Sequence, residues 1–159
     1  MARLQDSPPP PTRLFLVDDE PIVRKGLRLL LGVEPGLAVC GEADNEHDAL
    51  AGILTLQPDL AIVDLTLKLG DGLALIKQLH ERRPALKILV FSMHQEAHFA
   101  TVAFAAGAHG YIIKEEGTER VREAIQVVMA GKCYLSERIT AKAPGLMPRA
   151  KPRSRTRAS

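Results

Sequence analysis

Five side chains could do chemistry together: the paired carboxylates Asp18 and Asp19, a third carboxylate at Asp64, the hydroxyl of Ser92 and the ammonium of Lys114. Each group stands at the end of a short apolar run. Leu14-Phe15-Leu16-Val17 runs into Asp18-Asp19, Leu60-Ala61-Ile62-Val63 into Asp64, Ile88-Leu89-Val90-Phe91 into Ser92, and Tyr111-Ile112-Ile113 into Lys114. Three carboxylates gathered in one place repel one another unless a cation sits among them. Mg2+ relieves that repulsion, because it takes an octahedron of oxygens, keeps several waters and is commonly held by one or two carboxylates with a phosphate. Lys114 offers a compact charge for an incoming phosphoryl oxygen, and Ser92 a hydroxyl that can donate to another. No residue is placed as a base to activate water, and there is no Gly-x-Ser-x-Gly elbow. The set suits transfer of a phosphoryl group onto a carboxylate, with positioning and electrostatics supplying the catalysis.

For these residues to meet, the four runs must lie side by side and point the same way. Nearly continuous apolar runs suit strands buried on both faces of a parallel sheet. The residues just past the carboxyl ends of such strands gather at one rim, where ligands bind. The stretches between the runs read as helices. Pro21 suits a first turn, followed by Ile22, Val23, Gly26, Leu27 and Leu30 until the Glu34-Pro35-Gly36 break. Asn45 caps a second helix that reaches Leu56. Gly70-Asp71-Gly72 turns into a third, which carries Leu73, Ile76 and Leu79 and closes at Pro84. A fourth covers roughly 95–106. A fifth starts near Thr118, places Val121, Ala124, Ile125 and Val128 on one stripe, and stops at Gly131. With strands at roughly 13–18, 37–42, 60–64, 86–91 and 110–113, the alternation predicts an α/β fold: a doubly wound, five-stranded parallel sheet with five helices.

The length allows one domain with a full core plus tails, and 46% apolar with 25% charged residues is ordinary for a globular chain. No apolar run approaches the ~20 residues needed to cross a bilayer. The opening Asp6-Ser7-Pro8-Pro9-Pro10-Pro11 reads as a polyproline-type arm over 1–12 rather than a signal sequence, so a cytoplasmic location without a membrane partner is expected. Cys40 and Cys133 read as two reduced thiols. The net charge of +2 hides an asymmetry: from Arg138 onward there are seven basic residues and no acid, and before it 14 basic against 19 acidic, a net of −5. The expected division is an arm over 1–12, the folded unit over 13–133, and a linker remnant with a basic tail over 134–159. Residues 141–159 lack the apolar content to offset their own ordering entropy and are expected to be disordered. Such a tail would hold nucleic acid weakly and without sequence preference, through phosphate contacts.

The ordered set Val17-Asp18-Asp19-Glu20, Val63-Asp64-Leu65-Thr66-Leu67, Gly70-Asp71-Gly72, Val90-Phe91-Ser92 and Gly110-Tyr111-Ile112-Ile113-Lys114 closely resembles the receiver domain of bacterial two-component response regulators. The separations fit too, with 45 residues from Asp19 to Asp64, 28 more to Ser92 and 22 more to Lys114. The resemblance covers about 13–133 and implies a flavodoxin-like strand order 2-1-3-4-5. It implies that Asp64 is the phospho-acceptor, taking its phosphoryl group from phosphohistidine on a sensor histidine kinase. Asp19 is implied as a direct Mg2+ ligand and Asp18 as a ligand through water, with Asp64 and the backbone carbonyl of Thr66 completing the protein's share. Lys114 and Ser92 would contact the phosphoryl group, Ser92 and Tyr111 would form the switch to the face made by helix four, strand five and helix five, and Thr66 and His94 would tune phosphoryl lifetime. The only catalysis implied is the protein's own phosphorylation and dephosphorylation, so it would not be an enzyme. A homodimer is also allowed, through that same face or through helices one and five. Lys68 stands where many receivers carry Pro; a Lys there, with the stretch from Gly110 to Leu135, resembles the NarL/FixJ-like (LuxR-type) branch. That branch continues into a helix-turn-helix. The residues after helix five show no apolar periodicity, so this output domain is expected to be missing from the sequence.

Two other functions compete. A haloacid-dehalogenase-like phosphohydrolase also passes through an aspartyl-phosphate, but places a second Asp where this chain has Thr66. A DNA-binding regulator would act through the basic tail, which carries no aromatic or helical reading element. The plainest alternative, solvated charges at unrelated strand ends, is disfavoured by the convergence of all five groups. His94 and His98 are spaced four apart, but Glu96 is misplaced for a zinc helix and no third ligand is evident. Helix four has more apolar residues than one buried face requires, and part of it is read as a partner or dimer surface.

Overall fold

The computed structural model describes residues 7–146. Its elements are β1 (Thr12–Val17), α1 (Pro21–Gly32), β2 (Leu37–Ala43), α2 (Glu46–Leu56), β3 (Leu60–Val63), α3 (Gly72–Arg82), β4 (Lys87–Ser92), α4 (Ala97–Ala106), β5 (Gly110–Ile113), a 3-10 turn (Lys114–Glu116), α5 (Glu119–Met129), β6 (Tyr134–Leu135) and α6 (Glu137–Lys142). Every strand pairing is parallel, in the order β2-β1-β3-β4-β5-β6.

Side chains along each strand alternate between two cores. Phe15, Val17, Ala61, Val63, Ile88, Val90, Tyr111 and Ile113 enter one, which α2, α3 and α4 cover. Leu14, Leu16, Leu60, Ile62, Leu89, Phe91 and Ile112 enter the other, beneath α1 and α5. Both faces are therefore apolar, and the central strands read as unbroken apolar runs. At the helix starts, the Asn45 side chain accepts from Asp48 N–H at 2.8 Å and Asp71 from Leu73 N–H at 2.9 Å, each satisfying a first-turn donor. Gly72 serves a closer purpose. A Cβ there would lie 2.2 Å from the Asp64 carbonyl oxygen, so glycine alone lets α3 begin against the end of β3.

Two expectations are corrected. Among the described residues the sheet has six strands, not five, and six α-helices accompany it. After Gly131 the chain returns beside β5. Tyr134 N–H donates to the His109 carbonyl at 3.1 Å and Ser136 N–H to the Tyr111 carbonyl at 2.9 Å. The buried Ser136 hydroxyl accepts from Ile113 N–H at 2.8 Å, and Ile139 on α6 is fully buried in the α2–α3–α4 core. The segment from residue 134, read as a linker remnant, thus begins as ordered structure. A strand of two residues shows no period, and α6 buries one apolar side chain, so neither leaves a recognisable pattern. Residues 1–6 of the expected arm and 147–159 of the expected tail lie outside the described residues. Among those described, no helix is long and apolar enough to cross a membrane.

Candidate functional site

The strand order makes β1, β3, β4 and β5 consecutive, so their carboxyl ends share one rim. Asp18 and Asp19 follow β1, Asp64 follows β3, Ser92 ends β4, and Lys114 follows β5. Lys114 Nζ reaches three carboxylates, at 2.8 Å from Asp18 Oδ2, 2.8 Å from Glu20 Oε1 and 3.0 Å from Asp64 Oδ2. Its ring neighbour is Phe91, 6.0 Å from ammonium to centroid. Asp18 and Asp64 are themselves buried. Peptide N–H groups hold the other carboxylate oxygens: Glu20 N–H donates to Asp18 Oδ1 at 2.9 Å, and Thr66 N–H to Asp64 Oδ1 at 3.2 Å.

The charges do not balance. Burial pushes the carboxyls of Asp18 and Asp64 above their usual range, and the hydrogen bonds from Lys114 only partly oppose it. Burial alone would lower the Lys114 pKa, but hydrogen bonds to Asp18, Glu20 and Asp64 outweigh it and hold the ammonium charged well into the alkaline range. One cation therefore faces four acids. Oxygens of Asp18, Asp19, Glu20 and Asp64 all lie within 4.8 Å of one another. An all-oxygen donor set of this density, carrying excess negative charge, fits a hard divalent cation such as Mg2+.

A second linked group adjoins the first, with His94 at its centre. The Thr66 hydroxyl and His94 Nε2 share a hydrogen bond of 2.8 Å, His94 N–H donates to Ser92 Oγ at 3.2 Å, and the Tyr111 hydroxyl donates to the His94 carbonyl at 2.9 Å. The His94 ring stacks on Phe99 with centroids 3.9 Å apart. Tyr111 is wholly buried in its inward position, and burial pushes its phenol up to about 12. Asp18, Asp19, Asp64 and Lys114 are thus brought together, and Ser92, Thr66, His94 and Tyr111 join them through Thr66. Sequence reasoning missed Glu20 as a partner of Lys114, although it stands directly after Asp18-Asp19. It also missed the Lys68 N–H, which donates to Asp19 Oδ2 at 2.8 Å; no side-chain pattern reveals a main-chain donor.

The family model described as the response regulator receiver domain matches residues 14–126. The DNA-binding transcriptional activator DevR/DosR of Mycobacterium tuberculosis is 36% identical over 129 residues, which make up 81% of this chain and 59% of that protein. The nitrate/nitrite response regulator protein NarL of Escherichia coli is 32% identical over 130 residues, 82% of this chain and 60% of that protein. The chain therefore spans roughly three fifths of the length of these curated relatives. The crystal structure of a LuxR-family two-component response regulator from Aurantimonas sp. aligns with a TM-score of 0.79 at 37% identity, covering 82% of this chain and 94% of that one.

Proposed function

The chain belongs to the response regulator receiver family, among relatives of the NarL and DevR type, and from that premise we propose that Asp64 takes up a phosphoryl group from a sensor histidine kinase. The observation that carries this reading is Lys114 Nζ, 3.0 Å from Asp64 Oδ2 within a cluster of four acids.

One oxygen of Asp64 is steadied by Thr66 N–H and the other faces Lys114. As an Asp64 oxygen attacks phosphorus, the new O–P bond forms while the P–N bond of phosphohistidine breaks and the imidazole leaves with the electron pair. Lys114 neutralises charge on the transferring oxygens. Asp18, Asp19, Asp64 and the Thr66 carbonyl would hold Mg2+, which would supply the remaining charge compensation. Glu20 and Asp18 keep Lys114 in place before the donor arrives. The protein catalyses only its own phosphorylation and dephosphorylation.

Ser92 accepts from His94 N–H before phosphorylation. Turning its hydroxyl to a phosphoryl oxygen gives up that bond and shifts the His94 backbone, whose carbonyl anchors Tyr111. The change then reaches α4, β5 and α5. Thr66 and His94 set how long the phosphoryl group survives. We assign the receiver to 13–133 with 134–142 as its docked extension, and place its action in the cytoplasm. A second copy would pair through the α4–β5–α5 face or through α1 and α5, and the basic tail would contact nucleic acid only non-specifically. The phosphohydrolase reading is weakened because the residue two beyond Asp64 is Thr66, whose hydroxyl is engaged by His94 rather than free to act as an acid.

The test is incubation with acetyl phosphate and Mg2+. The wild type should gain an acid-labile phosphoryl group that Asp64→Asn does not; equal labelling of both would overturn the assignment. Multi-turnover release of phosphate from monoesters would favour the phosphohydrolase instead.

A further inference from the structure

We propose that the peptide N–H of Lys68 is a positioning group for the metal site, fixing Asp19 for the cation. This inference rests on the receiver reading above. Each of the three aspartates is steadied by one main-chain donor. Asp18 receives the N–H of Glu20 and Asp64 that of Thr66, both two residues further along the chain. Asp19 cannot be served in the same way, because two residues beyond it stands Pro21, which has no N–H. Its donor comes instead from 49 residues away: Lys68 N–H reaches Asp19 Oδ2 at 2.8 Å.

Pro21 opens α1, a first-turn position that its fixed φ and missing N–H suit. The β3–α3 loop therefore supplies what the β1–α1 loop lacks. Leu67 is buried in the α2–α3–α4 core and anchors the loop immediately before the donor, whereas the Lys68 side chain lies exposed. The bond to Oδ2 restrains the Asp19 carboxylate, one oxygen of which lies within 4.8 Å of oxygens of Asp18, Glu20 and Asp64. The requirement at this position is thus for a main-chain N–H and is indifferent to the side chain. A proline here would have none to give.

The experiment is isothermal titration of Mg2+ into the full chain as wild type, Lys68→Ala and Lys68→Pro. Lys68→Ala should match the wild type, and Lys68→Pro should bind about tenfold more weakly, the lower end of the cost of losing an outer partner of a metal ligand. Equal affinity in Lys68→Pro, or equal weakening in Lys68→Ala, would overturn the inference. Should Lys68→Pro fail to fold, hydrogen exchange of the wild-type Lys68 amide decides: protection supports the bond, and exchange at the rate of an open amide refutes it. A wild type that binds no Mg2+ would overturn the receiver reading itself, a distinct result.

Discussion

The Thr66 hydroxyl and His94 Nε2 meet at 2.8 Å across 28 residues of sequence, tying the loop after β3 to the loop after β4 beside Asp64. Thr66 also steadies Asp64 through its N–H, and His94 is backed by the Phe99 ring. The bond closes part of the rim over the residue proposed to carry phosphate.

Opening that bond should shorten phosphoryl lifetime. A hydrogen bond of this kind contributes about 0.5–1.5 kcal/mol, so Thr66→Ala should lose phosphate roughly two- to tenfold faster by admitting water more often. Phosphate decay after removal of the donor measures it. His94→Ala should act in the same direction, and the double variant should show less than the product of the two effects, because both substitutions remove one bond. Unchanged or slower decay in Thr66→Ala would contradict a shielding role.

The crowded acids should destabilise the metal-free fold at neutral pH. The folded pKa values of Asp64 and Asp18 are raised, so between the unfolded value of 3.8 and the folded value the native state binds more protons. Stability therefore falls as pH rises through that window, and the loss persists at neutral pH. Lys114 has the same sign of linkage in a far more alkaline window, so at neutral pH its effect is stabilising rather than destabilising. Its raised pKa adds stability that is complete below 10.5 and disappears only as pH climbs through the folded value, so it stays constant across the acid range. Asp64→Asn leaves Lys114 with Asp18 and Glu20 as partners and should raise the melting temperature without Mg2+ by roughly 2–4 °C, corresponding to about 1 kcal/mol. The gain should shrink as the pH is lowered toward 4. Thermal melts with a chelator present check both the sign and the pH trend.

The docked end of the described chain should contribute to stability through Ser136 and Ile139. Removing the Ser136 hydroxyl leaves the Ile113 N–H without its acceptor in a buried position, which costs about 1–3 kcal/mol. Ile139→Ala removes a fully buried side chain and should cost at least about 2 kcal/mol. Urea unfolding gives both values. Neither variant changes a group in the acid cluster, so Mg2+ affinity should be retained.

The sequence made the central strands and their rim readable because both sheet faces are apolar and each run stops at a polar residue. The cap at Asn45 and the opening at Pro21 were equally plain, being local chemistry, whereas Gly70-Asp71-Gly72 was legible as a turn and not as the cap that Asp71 provides. What stayed hidden depends on long-range contacts, most of them made by the main chain. β6 consists of Tyr134 and Leu135 and is held chiefly by carbonyls and N–H groups of β5 and its approach. The donor to Asp19 belongs to the peptide of Lys68, not to its side chain. Glu20 was visible as a residue, but its contact with Lys114, 94 residues away, requires the closed sheet.

The most direct test of the account maps the phosphorylated atom. After reaction with acetyl phosphate and Mg2+, borohydride reduction converts an aspartyl-phosphate to homoserine, and peptide fragmentation locates it. Homoserine at position 64, and at no other aspartate, is the predicted result. Homoserine at 18 or 19, or none at all from a protein that retains its label, would contradict it.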